Sequence, residues 1–259
     1  MKILALIASG RKKGNSLIAA TYIAKKLNAE LEVINLTKLN IEPCKACYAC
    51  LYGEECKIED DVNLVYERIK ESDVILICSP VYWLDATGKM KALIDRQFMA
   101  IPYLNDFSKK YAAIITSHGF EELKGWASST HIILAKVMGL NLLINAEINA
   151  ALPGEILIKN ENLEKLDLVV KTLQNKEKIV LENQCPVCLN SIFRVNNGIF
   201  CPICGSKLDA ELNVVEKGSR LELKWMIEHY DILKNMKEEF KRKKDEIFNA
   251  LKIVEGHGT

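Results

Sequence analysis

No apolar run in this chain approaches the ~18 residues that cross a bilayer as a helix, so no membrane span is expected. Charge of one sign is also scarce. The 35 Lys and Arg nearly cancel the 34 Asp and Glu, and a net +1 advertises neither nucleic acid nor an anionic surface. Between Lys2 and Ser9 lie six apolar or small residues, too few for an export signal, so a cytoplasmic location is expected. The G-x-G-x-x-G of dinucleotide folds and the G-K-[ST] of P-loops are both missing. What the chain does hold is cysteine in tight groups. Eight of its nine cysteines fall at 44–56 and 185–204, which reads as metal sites in a reducing compartment. At 259 residues it can bury a sizeable core, and one large domain with a small appendage is expected.

Cys44, Cys47, Cys50 and Cys56 follow the spacing C-x2-C-x2-C-x5-C. A structural zinc site usually draws on two separated knuckles, closing its tetrahedron from two directions. Here three thiols crowd one short loop and the fourth returns later. That suits a [4Fe–4S] cubane, in which each cysteine takes a different corner iron. A metal-free remnant, a zinc site and a pair of disulfides are the alternatives.

The first 180 or so residues alternate strand and helix patterns. A continuous apolar run at 3–8 reads as a strand buried on both faces of a parallel sheet, and further strands are expected at 31–36, 74–79, 111–117 and 140–148. Helical patterns lie between and after them, at 17–27, 60–72, 88–99, 126–138 and 163–181. This predicts a doubly wound α/β sheet, flavodoxin-like, with strand order 2-1-3-4-5. Ligands of such sheets bind beyond the carboxyl ends of the strands. Three loops of interest lie there. The loop 9–16 combines Gly, hydroxyls and positive charge ahead of a helix, as an anion site would; an ordinary N-cap at Asn15 or Ser16 is the plain alternative. Tyr82 and Trp83 suit a flat apolar ring, or simply core packing. His118 could hydrogen-bond a ligand or remain a solvated loop residue. Cys78, within an apolar strand, reads as a small buried hydrophobe.

The stretch Ser9-Gly10-Arg11-Lys12-Lys13-Gly14-Asn15-Ser16, the stretch Ser79-Pro80-Val81-Tyr82-Trp83 and the 44–56 cysteine motif together resemble the iron-sulfur flavoproteins. These belong to the NADPH-dependent FMN reductase superfamily, and the resemblance covers about residues 1–175. It implies bound FMN, a [4Fe–4S] cluster, and a homodimer or homotetramer with flavin near subunit interfaces. Ser9, Arg11, Asn15 and Ser16 would hold the FMN phosphate, with Lys13 in the same loop. Pro80, Val81, Tyr82 and Trp83 would run beside the ring, bordered by Ser117, His118 and Gly119. Where the family commonly opens G-S-P-R, this chain reads Ala8-Ser9-Gly10-Arg11.

In the tail, Cys185-x2-Cys188 and Cys201-x2-Cys204 are two knuckles twelve residues apart, a pattern for a tetrahedral four-cysteine site. Zinc is favoured over a rubredoxin-type iron, since the first knuckle lacks the Gly that rubredoxins usually place after its second cysteine. A hairpin is expected around Asn196-Asn197-Gly198, flanked by Ile192-Phe193 and Ile199-Phe200. Arg194 and Lys207 form no basic cluster, so nucleic-acid binding is not expected. Residues 219–254 read as one long helix, packed on the ribbon or on another subunit. The expected organisation is a flavin domain at 1–180, a zinc ribbon at 181–212 and a helix at 213–259. The favoured function is electron transfer between a ferredoxin-like carrier and an acceptor through [4Fe–4S] and FMN. The alternatives are an NAD(P)H-dependent FMN or quinone reductase and a redox-sensing scaffold. No catalytic residue is assigned.

Overall fold

The computed structural model describes residues 1–253, so Val254 of the expected helix lies outside the described residues. The chain divides into two compact units, Met1–Glu222 and Leu223–Thr259. In the first, β1 (Lys2–Ile7), β2 (Glu30–Asn35), β3 (Val74–Pro80), β4 (Tyr111–His118) and β5 (Asn141–Asn149) form one parallel sheet in the order β2-β1-β3-β4-β5. Alternate side chains of each strand feed two separate cores, because successive residues point to opposite faces. Ile3, Ala5 and Ile7 meet α1 (Asn15–Lys26) and α6 (Asn160–Asn175). Leu4 and Leu6 meet α2 (Val62–Glu71), α3 (Gly88–Asp95) and α5 (Ala127–Val137) on the other face. β1, β3 and β4 therefore carry near-continuous apolar runs, whereas the edge strand β2, with Glu30 and Glu32, is mostly half-buried or exposed.

Three helices differ from the sequence expectation by more than two residues, and so does the extent of the cysteine hairpin. The helix expected at 88–99 ends at Asp95, because Arg96 turns into the core and the chain tightens into a 3₁₀ run, Gln97–Tyr103, that contains Pro102. A short α4 (Leu104–Phe107) follows. The helix expected at 163–181 spans Asn160–Asn175 and is closed by Lys176 in a left-handed conformation, φ 57°. The expected single helix at 219–254 is two helices, α7 (Leu223–Arg242) and α8 (Lys244–Leu251). The break falls at Lys243 within four consecutive cations, Lys241 to Lys244; like charges repel there, and Asp245 and Glu246 suit a fresh helix start. The cysteine hairpin is built by β6 (Arg194–Val195) and β7 (Ile199–Phe200), not by Ile192-Phe193. It continues through β8 (Lys207–Leu208) and β9 (Val214–Glu216) into a four-stranded antiparallel sheet.

One core residue gives the fold a pH dependence. His131 of α5 is fully buried, its Nδ1 is 2.8 Å from Thr116 Oγ1, and its Nε2 has no partner among the described residues. Burial holds its pKa down to about 4, against about 6.5 in an unfolded chain. Below pH ~6.5 the unfolded chain takes up a proton that the folded one refuses, so this contribution is complete above pH ~6.5 and is lost as pH falls toward about 4. The loss is on the order of 3 kcal/mol. Urea titrations at pH 7 and pH 5 should show wild type losing more stability than His131→Leu over that interval. Equal losses would dismiss the assignment.

Candidate functional site

The carboxyl ends of β1, β3 and β4 open onto a cleft of about 500 Å³. After β1 the chain turns sharply: Arg11 N donates to Ser9 Oγ at 3.4 Å and Gly14 N donates to Arg11 O at 3.3 Å. A Cβ on Gly14 would sit 3.0 Å from Ser9 Oγ, so glycine lets the loop close over its own hydroxyl. Gly14 is the N-cap of α1, and Asn15 and Ser16 lie in the first turn, which corrects the expected cap. The first N–H groups of a helix have no intrahelical acceptor, and no acidic residue occupies this first turn. An anion is favoured there.

Asn15 serves a second purpose that its sequence position did not suggest. Its Nδ2 donates to Ala150 O and Leu152 O at 2.8 and 3.0 Å, and its Oδ1 accepts from Gly154 N at 3.0 Å. The side chain thus fastens the segment after β5 to the cleft wall, and only its backbone N–H remains to face an anion. Arg11 likewise donates to Ala151 O at 2.9 Å. Glu155 accepts from Ala151 N and Leu152 N at 2.6 and 2.8 Å. Lys159 and those backbone donors hold its carboxyl at about 2.

The second wall is a two-residue turn. Tyr82 and Asp85 exchange backbone hydrogen bonds of 2.8 and 3.0 Å, with Trp83 and Leu84 both left-handed at φ 47° and 67°. Such turns normally take Asn or Gly, so this one is strained. It is held from outside by Trp126 N donating to Leu84 O at 2.6 Å. Trp83 is 99% exposed, so core packing does not explain the aromatic pair.

The third wall carries His118, only 3% exposed. Its Nδ1 is buried without a hydrogen-bond partner among the described residues, and its Nε2 is 3.6 Å from Glu121 Oε1. Burial lowers its pKa, against the opposing pull of Glu121 and Glu147. The structure gathers Ser9, Arg11, Asn15, Ser16, Pro80, Val81, Tyr82, Trp83, Ser117, His118 and Gly119 around this one cleft. Lys13 does not line it. Leu84, Phe120, Leu123, Ala150 and Ala151 do, and no motif marked them. The residues present fit a flavin: a helix N-terminus for its phosphate, a loop that a Cβ would crowd, and an orphaned buried nitrogen on the cleft wall.

Cys44, Cys47, Cys50 and Cys56 line a separate small cavity with Arg96 and Met99. Ala46 and Tyr48 are left-handed, at φ 49° and 60°, and Ala46 N points at Cys44 Sγ, 3.4 Å away. Among the described residues, only the second cysteine set brings its ligand atoms within 4.8 Å of one another. A single ion with Zn–S bonds of about 2.3 Å needs such closeness. Four thiols spread more widely around a common cavity fit a multi-iron cluster, whose corner irons stand apart.

The second set already brings its four thiols together. Cys185 Sγ and Cys204 Sγ are 3.6 Å apart, Cys188 Sγ and Cys201 Sγ are 3.4 Å apart, and all four residues are buried. Each knuckle folds the same way, with Leu189 N donating to Cys185 O and Gly205 N to Cys201 O. Leu189 takes the left-handed position, φ 66°, that Gly205 takes at 81°, so the missing glycine does not change the knuckle.

An iron-sulfur flavoprotein of Archaeoglobus fulgidus is 44% identical over 103 residues, covering 39% of this chain and 50% of the relative. One from Methanosarcina thermophila is 34% identical over 102 residues, covering 38% and 53%. The chain thus spans about half the length of these curated relatives. A solved structure described as a flavone reductase superposes with a TM-score of 0.71 over 98% of this chain and 96% of that one, at 16% identity. At that identity the likeness speaks for the fold alone. Residues 1–149, more than half of the 259, match the family described as NADPH-dependent FMN reductase, and the chain belongs to that family.

Proposed function

We propose that this protein is an oxidoreductase that passes electrons between a ferredoxin-like one-electron carrier and an acceptor, through a [4Fe–4S] cluster on Cys44, Cys47, Cys50 and Cys56 and an FMN in the cleft. The observation that carries the reading is the first cysteine set, four thiols around one cavity and more widely spread than the single-ion set. When bound, FMN takes electrons in pairs and releases them singly, whereas the cluster moves one at a time. The chain's part is to bind, orient and shield. The α1 N-terminus and Ser9 would hold the phosphate, the Tyr82–Asp85 turn would flank the ring, and Ser117–Gly119 with Ala150–Ala151 would border the remaining side. His118, kept neutral by burial, offers its unpartnered Nδ1 to the ring or to a proton in transit. Zinc is proposed for the second cysteine set, as a structural ion. A homodimer or homotetramer is proposed too, as the resemblance to the iron-sulfur flavoproteins implies.

The test is anaerobic purification followed by iron, sulfide, zinc and flavin analysis, with EPR of the reduced protein. About four irons and four sulfides per chain with FMN are expected. FMN without sulfide, bleached rapidly by NADPH, would replace the proposal with a hydride-accepting reductase.

A further inference from the structure

Arg96 is the largest fully buried side chain of the fold, 2% exposed, and it ends α3 beneath the cysteine loop. An arginine is buried this completely only when its donors are met. Here they converge on the loop. Nη1 donates to Glu42 O at 3.0 Å and to the Asp60 carboxylate, while Nη2 points at Cys56 Sγ, 3.4 Å away, and at Met99 Sδ, 3.1 Å away. Asp60 in turn accepts from Glu42 N at 3.0 Å and Val62 N at 3.3 Å. Glu42 precedes Cys44 and Asp60 follows Cys56, so one buried ion pair ties the two ends of the loop together. The pair is oriented: its carboxylate faces backbone donors, and its guanidinium faces the thiol.

We propose that Arg96 is the positioning residue of the cysteine site, fixing Cys56 for iron and raising the cluster's reduction potential. This rests on the cluster reading above. A thiolate beside a guanidinium is held by a charge-assisted hydrogen bond. A reduced cluster carries one more negative charge than an oxidised one, and a nearby buried cation favours that added electron through weakly screened attraction. Lysine would supply the charge, but its compact ammonium cannot span Glu42, Asp60, Met99 and Cys56 at once.

The experiment is an EPR-monitored dithionite titration of the anaerobic holoprotein, with cluster loss to a chelator timed in parallel. Wild type, Arg96→Lys, Arg96→Gln and the double variant Asp60→Asn/Arg96→Gln are compared; the double variant avoids leaving a lone buried carboxylate. The two Gln variants should titrate at more negative potential than wild type, with the flavin couple unmoved. Their clusters should be lost about 10- to 100-fold faster, with Arg96→Lys intermediate. Wild-type midpoints and lifetimes in both Gln variants would overturn the proposal. So would loss of flavin together with cluster in every variant, Arg96→Lys included, since that would mark Arg96 as a support of the whole fold. Wild type lacking inorganic sulfide would instead overturn the cluster reading itself, and this inference with it.

Discussion

Gly125→Ala is expected to cost at least ~3 kcal/mol of stability and most of the bound flavin. Gly125 is left-handed at φ 52°, and a Cβ there would lie 2.0 Å from Leu84 O and 2.6 Å from Leu84 C and Cα. These are backbone atoms, so no rotamer change relieves the contact. Leu84 belongs to the strained turn that forms the ring-side wall of the cleft, and Trp126 N, the residue after Gly125, anchors that turn through Leu84 O at 2.6 Å. Adding one methyl therefore pushes away the strand-end loop that this glycine allows to approach. Gly10→Ala is the control. It sits in the phosphate-side loop with nothing within 4 Å of its Cβ and no left-handed φ, and should keep wild-type stability. Thermal midpoint and flavin content after gel filtration read both variants. A Gly125→Ala protein with wild-type values would show that the 82–85 turn does not depend on this approach.

Loss of metal from the second cysteine set is expected to destabilise the whole first unit. Cys185, Cys188, Cys201 and Cys204 are not appended to the surface. They share a buried cluster with Ile132, Leu134 and Leu142 of the sheet and its helices. The knuckle segments are also stitched to β5 and α5 by hydrogen bonds. Asn145 Nδ2 donates to Leu189 O at 3.1 Å, Gln184 Nε2 donates to Asn145 O at 2.8 Å, and Ser129 Oγ donates to Asn190 Oδ1 at 2.6 Å. Removing the ion leaves four thiols crowded in that core and frees the segment that makes these bonds. A loss of ~4 kcal/mol would lower Tm by about 8–16 °C in a domain of this size. Cys188→Ser, or exhaustive chelation, should show this shift by calorimetry. Cys44→Ser, on an exposed loop, should remove inorganic sulfide while moving Tm far less. Metal-free protein with unchanged Tm would make the second site an ornament of the fold.

The two cysteine sets were legible for a simple reason: metal ligation leaves its spacing in the sequence, because the ligands must come from short loops. The sheet was legible as well, since strands buried on both faces admit little except Val, Ile, Leu and Ala, as in Val74–Pro80. The phosphate-side loop could be located, but the work of its side chains could not. Asn15 looks like a cap or a ligand, and its side chain acts as a brace, because Ala150, Leu152 and Gly154 reach it from 135 or more residues away. Arg96 gave no signal at all: an arginine among ordinary helix residues reads as surface until the fold buries it beside Asp60. Gly125 reads as a routine loop glycine until Leu84 comes to rest against it. By itself, then, the sequence determined the strand order, the grouping of the cysteines and the three loops around the cleft. These follow from local periodicity and spacing. Only the tertiary structure decided which side chains brace, which remain unpartnered and which charge faces Cys56. Those properties depend on desolvation and on contacts between residues far apart in the chain, and neither is written into any short stretch of it.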